Sequence, residues 1–179
     1  MIYIFLADGF EECEALAPID ILRRENIDIK TVGVGSKTIT GSHGIPVVCD
    51  LSMNEISTDD LDGIILPGGM PGTLNLEMDE TVNKFIDFCA NYNKLICAIC
   101  AAPLILGHKN LLNNKNATCY PGFEKELFGA NISQKNVVTD GNIITACGAG
   151  AAFEFGFEIL SYLKDKKITD NLKIQMRFI

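Results

Sequence analysis

Apolar and polar positions along the chain predict strands and helices in alternation. Short apolar runs predict buried strands at residues 1–7, 27–34, 61–66, 95–99 and 117–120. Apolar residues spaced three or four apart predict helices at residues 12–26, 79–91, 101–108, 150–164 and 170–177. Turn residues between further short runs predict hairpins at residues 37–48 and 136–147. Because strands that alternate with helices are typical of parallel sheets, we predict one α/β domain over residues 1–179, with an open, mostly parallel sheet and helices on both faces.

Composition and charge narrow the classes of function. An apolar content of 47% in 179 residues favours one folded core over disorder. The net charge of −8, with no strong cluster of Lys and Arg, argues against a nucleic-acid-binding surface. No apolar run approaches the roughly 20 residues that cross a bilayer, and the first run is too short for a secretion signal. We therefore expect a cytoplasmic protein that binds neither nucleic acid nor membranes.

The cysteines and histidines do not form an obvious disulfide framework or metal site. Most of the cysteines lie inside apolar runs, as small buried thiols do, and they number seven: Cys13, Cys49, Cys89, Cys97, Cys100, Cys119 and Cys147. Cys97 and Cys100 have C-x-x-C spacing, but Cys97 lies within a predicted strand, which argues against a thioredoxin-like pair. The two histidines are too few for a convincing metal cluster, and no phosphate-binding glycine loop follows the first strand. We expect no metal and no cofactor.

Cys100 stands at a predicted strand-to-helix turn. The strand at 95–99 ends directly before it, and Pro103 follows at a first-turn position of the next helix. A tight turn of this kind exposes a nucleophile above a sheet, and the helix end beside the sulfur is expected to favour thiolate. The backbone N–H of Ala101 is placed to bind a developing oxyanion. The alternative is that Cys100 is one more buried thiol.

Two further segments follow predicted strands. After the strand at 61–66, Gly68 and Gly69 could bring backbone N–H groups close to a ligand, with Gly69 as a second oxyanion donor; an ordinary turn is the alternative. Near the start of the first helix, Glu14 lies two residues after Glu12 and should face the opposite way, inward over the sheet end. A carboxyl buried beside a thiol would have a raised pKa and could donate a hydrogen bond to thiolate. The alternative is that these glutamates only complement the helix dipole.

These segments together resemble the ThiJ/PfpI superfamily, and within it the subfamily of the parkinsonism-associated protein deglycase and its bacterial relatives. The resemblance is carried by five segments in order, at residues 6–14, 18–24, 66–69, 98–103 and 148–155. It implies a flavodoxin-like fold and a homodimer, with the first helix as the expected contact between the two copies. By this match Cys100 takes the place of the reactive, easily oxidised cysteine and Glu14 that of the buried protonated glutamate. Gly69 and Ala101 take the places of the backbone donors, beside the auxiliary Gly68.

Two positions depart from the family pattern. Ala101 stands where members with protease character have a histidine, and Tyr120 stands where the deglycase subfamily often has one. Both departures remove the obvious general base, so classical Cys–His protease catalysis is not expected. His43, on the predicted hairpin at 37–48 where the family often has a basic residue, is an auxiliary candidate.

Two classes of function remain open. In the first, which we favour, Cys100 adds to a small α-oxoaldehyde such as methylglyoxal and Glu14 moves a proton, as in a cofactor-free glyoxalase or deglycase. In the second, the protein is a non-enzymatic sensor of oxidative stress or a chaperone-like protein, in which Cys100 is oxidised to a sulfinate held by Glu14.

Overall fold

A seven-stranded sheet lies at the centre of the computed structural model, which describes residues 1–179. The strands of the chain are β1 (Ile2–Leu6), β2 (Ile29–Gly33), β3 (Thr38–Thr40), β4 (Pro46–Val48), β5 (Leu51–Ser52), β6 (Gly63–Leu66), β7 (Leu95–Ile99), β8 (Asn116–Ala117), β9 (Asn131–Ile132), β10 (Val137–Asp140) and β11 (Ile143–Ala146). The central sheet has the order β10-β11-β7-β6-β1-β2-β5, and all its pairs are parallel except β10 with β11. The predicted α/β class with a mostly parallel sheet is confirmed.

Helices cover both faces of this sheet. They are α1 (Glu12–Arg24), α2 (Gly72–Met78), α3 (Glu80–Asn91), α4 (Pro103–His108), α5 (Ala152–Leu163) and α6 (Lys166–Gln175). Apolar residues of α1, α5 and α6 pack on one face of the sheet, and those of α2, α3 and α4 pack on the other. The two apolar clusters contain 25 and 24 buried residues, so the strands are shielded equally on both sides, as their continuous apolar runs predict.

Some elements differ from the predictions. α2 was not predicted, because its sequence lacks an amphipathic repeat and follows a run of prolines and glycines. α6 begins at Lys166 rather than at residue 170, since the carboxylate of Asp165 caps it by accepting the N–H of Ile168. The short strand predicted at 117–120 is only Asn116–Ala117, paired with β9 outside the main sheet. No helix is both long enough and apolar enough to span a bilayer.

The order of the strands brings the candidate segments together. β7, β6 and β1 are neighbours in the sheet, and each ends directly before one of the segments singled out in the sequence. Because the carboxyl ends of parallel strands meet at one edge, the turns after these three strands share one place above the sheet.

Candidate functional site

Cys100 occupies a strained turn between β7 and α4. Its φ is +65°, in the left-handed region that side chains other than glycine rarely adopt. Two backbone hydrogen bonds fix it there: its N–H donates to the carbonyl of Ala146 at 2.9 Å, and its carbonyl accepts the N–H of Tyr120 at 2.8 Å. The side chain is partly exposed, and the turn has the expected elbow form.

The Glu14 carboxyl lies beside this thiol. The residue is completely buried, and its Oε2 accepts the backbone N–H of Gly68 at 2.8 Å. Its Oε1 is buried with no partner in hydrogen-bond geometry, and the side chain with which this carboxyl interacts is Cys100. Burial raises the pKa of Glu14 to about 7, against the lowering effects of Cys100 and of the Gly68 N–H. Glu14 therefore points inward over the sheet end, as its position in the helix predicts.

Gly68 allows this approach because it has no side chain. A Cβ at position 68 would lie 2.6 Å from the Cβ of Cys100 and 2.6 Å from Oε2 of Glu14. Both contacts are far shorter than real carbon atoms tolerate, so any larger residue would push the carboxyl and the thiol apart.

Gly69 is required for a different reason. Its φ is +89°, and a Cβ there would lie 2.5 Å from the backbone N of Glu11 and 2.5 Å from the carbonyl oxygen of Gly9. Its N–H group and that of Ala101 both act on the Cys100 sulfur and lower the pKa of the thiol. The two backbone groups named from the sequence therefore lie at the sulfur.

The net effect on the thiol is nevertheless opposite to the expectation. Burial, followed by the charge and hydrogen bond of Glu14, raises the pKa of Cys100 to about 12. The expectation that the helix end would lower it overall is wrong, because burial and the Glu14 carboxyl outweigh the N–H groups of Gly69 and Ala101. Burial raises the pKa of both groups, and a thiolate at Cys100 is stabilised when Glu14 carries the proton.

The two auxiliary side chains lie apart from this pair. His43 is exposed and interacts with Glu12, and no hydrogen bond or ion pair joins it to Cys100 or Glu14. Tyr120 donates its backbone N–H to Cys100, but its side chain is half exposed and lies against Gly148. Neither side chain takes the place of a general base beside the sulfur.

A second buried carboxylate, Glu12, was missed by the sequence analysis. Its oxygens accept the backbone N–H groups of His43 at 2.8 Å and Ile45 at 3.4 Å, and Oε2 lies 2.9 Å from Nδ1 of His43. Burial alone would raise the pKa of Glu12, but these hydrogen bonds outweigh it and lower the pKa to about 2. Glu11, Glu12 and His43 each offer one metal-ligating atom within 4.8 Å of the others, and the hydrogen bonds already explain this placement.

Known proteins resemble this chain over almost its whole length. A family model described as the DJ-1/PfpI family matches residues 1–162. Protein dj-1beta of Drosophila melanogaster is 32% identical over 167 residues, which cover 92% of this chain and 89% of the relative. A protein named as a deglycase from Pyrococcus abyssi is 28% identical over 91% of this chain and 99% of its own length. The structure of oxidized DJ-1 from Toxoplasma gondii superposes with a TM-score of 0.93 at 26% identity, covering 98% of this chain and 96% of that one.

Proposed function

Since this chain belongs to the DJ-1/PfpI family, we propose that it converts small α-oxoaldehydes such as methylglyoxal through Cys100 and Glu14. The observation that carries the proposal is the pairing of a completely buried carboxyl with a partly exposed thiol. Burial holds the pKa of Glu14 near 7, which suits a group that must both give and take a proton at neutral pH. The name of the Pyrococcus abyssi relative supports the same class of chemistry.

The first step forms a bond between sulfur and carbon. The Cys100 thiolate attacks the aldehyde carbon, and the carbonyl oxygen takes the proton that Glu14 held, which gives a hemithioacetal. While negative charge develops on that oxygen, the N–H groups of Gly69 and Ala101 are the donors nearest the sulfur.

The later steps move hydrogen without an external oxidant. The Glu14 carboxylate removes the proton from the former aldehyde carbon, and the same proton returns to the neighbouring carbon, while the hydroxyl proton on the first carbon passes to the oxygen of the second. The first carbon is thereby oxidised to a thioester and the second reduced to an alcohol. Water then hydrolyses the thioester, so that methylglyoxal and water give lactate and the free Cys100 thiol. In a deglycase reaction the same thiol would attack the carbon that carries the adduct.

The test is lactate formation from methylglyoxal by purified protein. We expect Cys100→Ser to abolish it, and Cys13→Ser to leave it at the parent level, because Cys13 is an exposed thiol on α1 outside the site. Lactate formed equally by the parent and by Cys100→Ser, prepared in parallel, would end the proposal.

A second candidate function is the sensing of oxidants through Cys100. It is favoured by the two backbone N–H groups at the sulfur, which could hold the oxygens of a sulfinate, and by the oxidized state of the similar Toxoplasma gondii structure. The two functions separate in one experiment, since a sensor is oxidised by peroxide at Cys100 but turns over no methylglyoxal.

We also propose that two copies of the chain pair through α1, as the family resemblance implies. Leu16 of α1 is exposed together with Ile45 and Phe153, and these residues line a largely apolar groove of about 370 Å³. Light scattering at micromolar concentration should give twice the 19.5 kDa mass of one chain, and a monomer would contradict this assembly.

A further inference from the structure

Two cysteines outside the Cys100–Glu14 pair line one small cavity. Cys119 and Cys147 both face a space of about 190 Å³, whose other walls are mainly polar. Cys119 is 6% exposed, and Cys147 is partly exposed. The proposed function uses neither thiol.

Contacts on both sides bring together the segments that carry these cysteines, and Cys147 is near enough to act on the pKa of Cys119. On one side of the pair, the N–H of Thr118 donates to Oγ1 of Thr145 at 3.0 Å. On the other side, the Tyr120 ring lies against Gly148, where an added Cβ would be 3.1 Å from the ring. The segments 118–120 and 145–148 therefore run side by side, and each carries one of the two cysteines between these contacts.

We propose that Cys119 and Cys147 form an intrachain disulfide when a hydroperoxide enters this cavity. Cys147, the more exposed thiol, reacts first: its sulfur attacks the peroxide, the O–O bond breaks, and a sulfenic acid and an alcohol or water leave the step. The Cys119 sulfur then attacks the sulfenic sulfur, an S–S bond forms, and one water is released. Both thiols are oxidised, and the hydroperoxide is the two-electron oxidant.

The surroundings of the two thiols raise the pKa of both. Burial raises the pKa of Cys119 to about 11, with smaller contributions from Glu124 and Cys147, and burial also raises the pKa of Cys147. Both cysteines are therefore protonated at neutral pH, so they react with peroxide more slowly than thiolates would.

The disulfide would act on Cys100 through the backbone. Segment 118–120 donates the N–H of Tyr120 to the carbonyl of Cys100, and segment 145–148 includes Ala146, whose carbonyl accepts the N–H of Cys100. A covalent bond between the segments ties together the two sides that hold the Cys100 turn. The proposal does not rest on the aldehyde chemistry of Cys100.

Tryptic mass spectrometry tests the bond directly. Cleavage after Lys and Arg places Cys119 in peptide 116–125, Cys147 in peptide 136–164, and both Cys97 and Cys100 in peptide 95–109. After a limiting dose of hydrogen peroxide and blocking of free thiols, we expect peptides 116–125 and 136–164 to appear joined. The joined species should disappear on reduction.

Variants that each lack one cysteine show which thiols form the bond. Cys119→Ser and Cys147→Ser should each abolish the joined species, whereas Cys100→Ser should still form it. The proposal is overturned if Cys119 and Cys147 can both still be alkylated when peptide 95–109 has gained oxygen. It is also overturned if peptide 136–164 is joined to peptide 95–109 instead, or if Cys100→Ser prevents the bond. Cys13→Ser removes the exposed thiol and should form the bond as the parent does. Loss of the joined peptides in this variant would show that the bond depends on Cys13 and would overturn the proposal.

Discussion

Glu12 and Glu14 lie on the same helix and are both buried, yet their pKa values differ widely. Glu12 is 4% exposed and has a pKa of about 2, whereas Glu14 is completely buried and has a pKa of about 7. Burial raises the pKa of both groups, so burial alone does not explain the difference.

The hydrogen-bond partners explain it. Glu12 accepts two backbone N–H groups and faces the His43 imidazole, all of which stabilise the carboxylate. Glu14 accepts one N–H, from Gly68, its second oxygen has no hydrogen-bond partner, and the side chain that lowers its pKa is the Cys100 thiol. A buried carboxyl with enough donors becomes a permanent anion that anchors a loop, and one with too few donors becomes a proton carrier.

The largest expected difference between substitutions of Glu14 and Glu12 is in catalytic activity. Glu14→Gln keeps an acceptor for the Gly68 N–H but cannot exchange a proton, so we expect kcat/KM for methylglyoxal to fall by about 10²–10⁴-fold. Glu12→Gln should stay within a few-fold of the parent, because Glu12 has no contact with Cys100. The measurement is initial-rate lactate formation by both variants. A similar loss in both would show that the two carboxyls do not differ in role.

A smaller effect is expected from the glycines that lie against each carboxyl. A Cβ at position 68 would meet both Cys100 and Glu14, and a Cβ at position 41 would meet the carboxyl of Glu12. Gly68→Ala should lower kcat/KM by roughly 100-fold, since a displacement of about 1 Å between reacting groups costs about that much. Gly41→Ala should lower the melting temperature and retain the activity. Full activity in Gly68→Ala would mean that the contact between carboxyl and thiol is unimportant.

The smallest effect is on stability, and it has opposite signs for the two groups. The folded pKa of Glu14 is raised, so its contribution to the free energy of unfolding is present below pH 4.5 and is lost as pH rises towards 7. The folded pKa of Glu12 is lowered, so its contribution is present above pH 4.5 and is lost as pH falls towards 2. Over pH 5–8 the parent should therefore lose about 2.5 kcal/mol relative to Glu14→Gln.

Urea unfolding at several pH values measures both trends. Below pH 4.5 the deficit of Glu12→Gln against the parent should shrink, since the parent loses the same ionised group there. A parent and Glu14→Gln whose stabilities stay parallel from pH 5 to pH 8 would contradict the raised pKa of Glu14.

The same two residues show how far the sequence could lead. Glu14 was predicted to point inward because it follows a strand end and lies two residues from Glu12, and the side chain lies there. The partners of Glu12 come from the loop around His43, about 30 residues away in the sequence. Local patterns do not encode such a contact, so both its burial and its low pKa escaped prediction.

The Cys100 turn also combines a feature that the sequence predicts with one that only the folded structure determines. An apolar run followed by a proline at the third position predicts the elbow, because strand and helix patterns are local. The pKa of its thiol depends on burial, on the Glu14 carboxyl and on two backbone N–H groups, and only the folded chain fixes that balance. The family resemblance named Gly69 and Ala101 as backbone donors, and the N–H groups of both act on the Cys100 sulfur.

The left-handed backbone conformation of Cys100 has a consequence for the stability of the fold. Six other residues besides glycine have a positive φ, and four of them are asparagines, the side chain that tolerates it best. Glycine or asparagine at position 100 would adopt this backbone conformation with less strain and would stabilise the fold. A cysteine at position 100 therefore costs the fold some stability, and that cost places a sulfur atom at one point above the sheet.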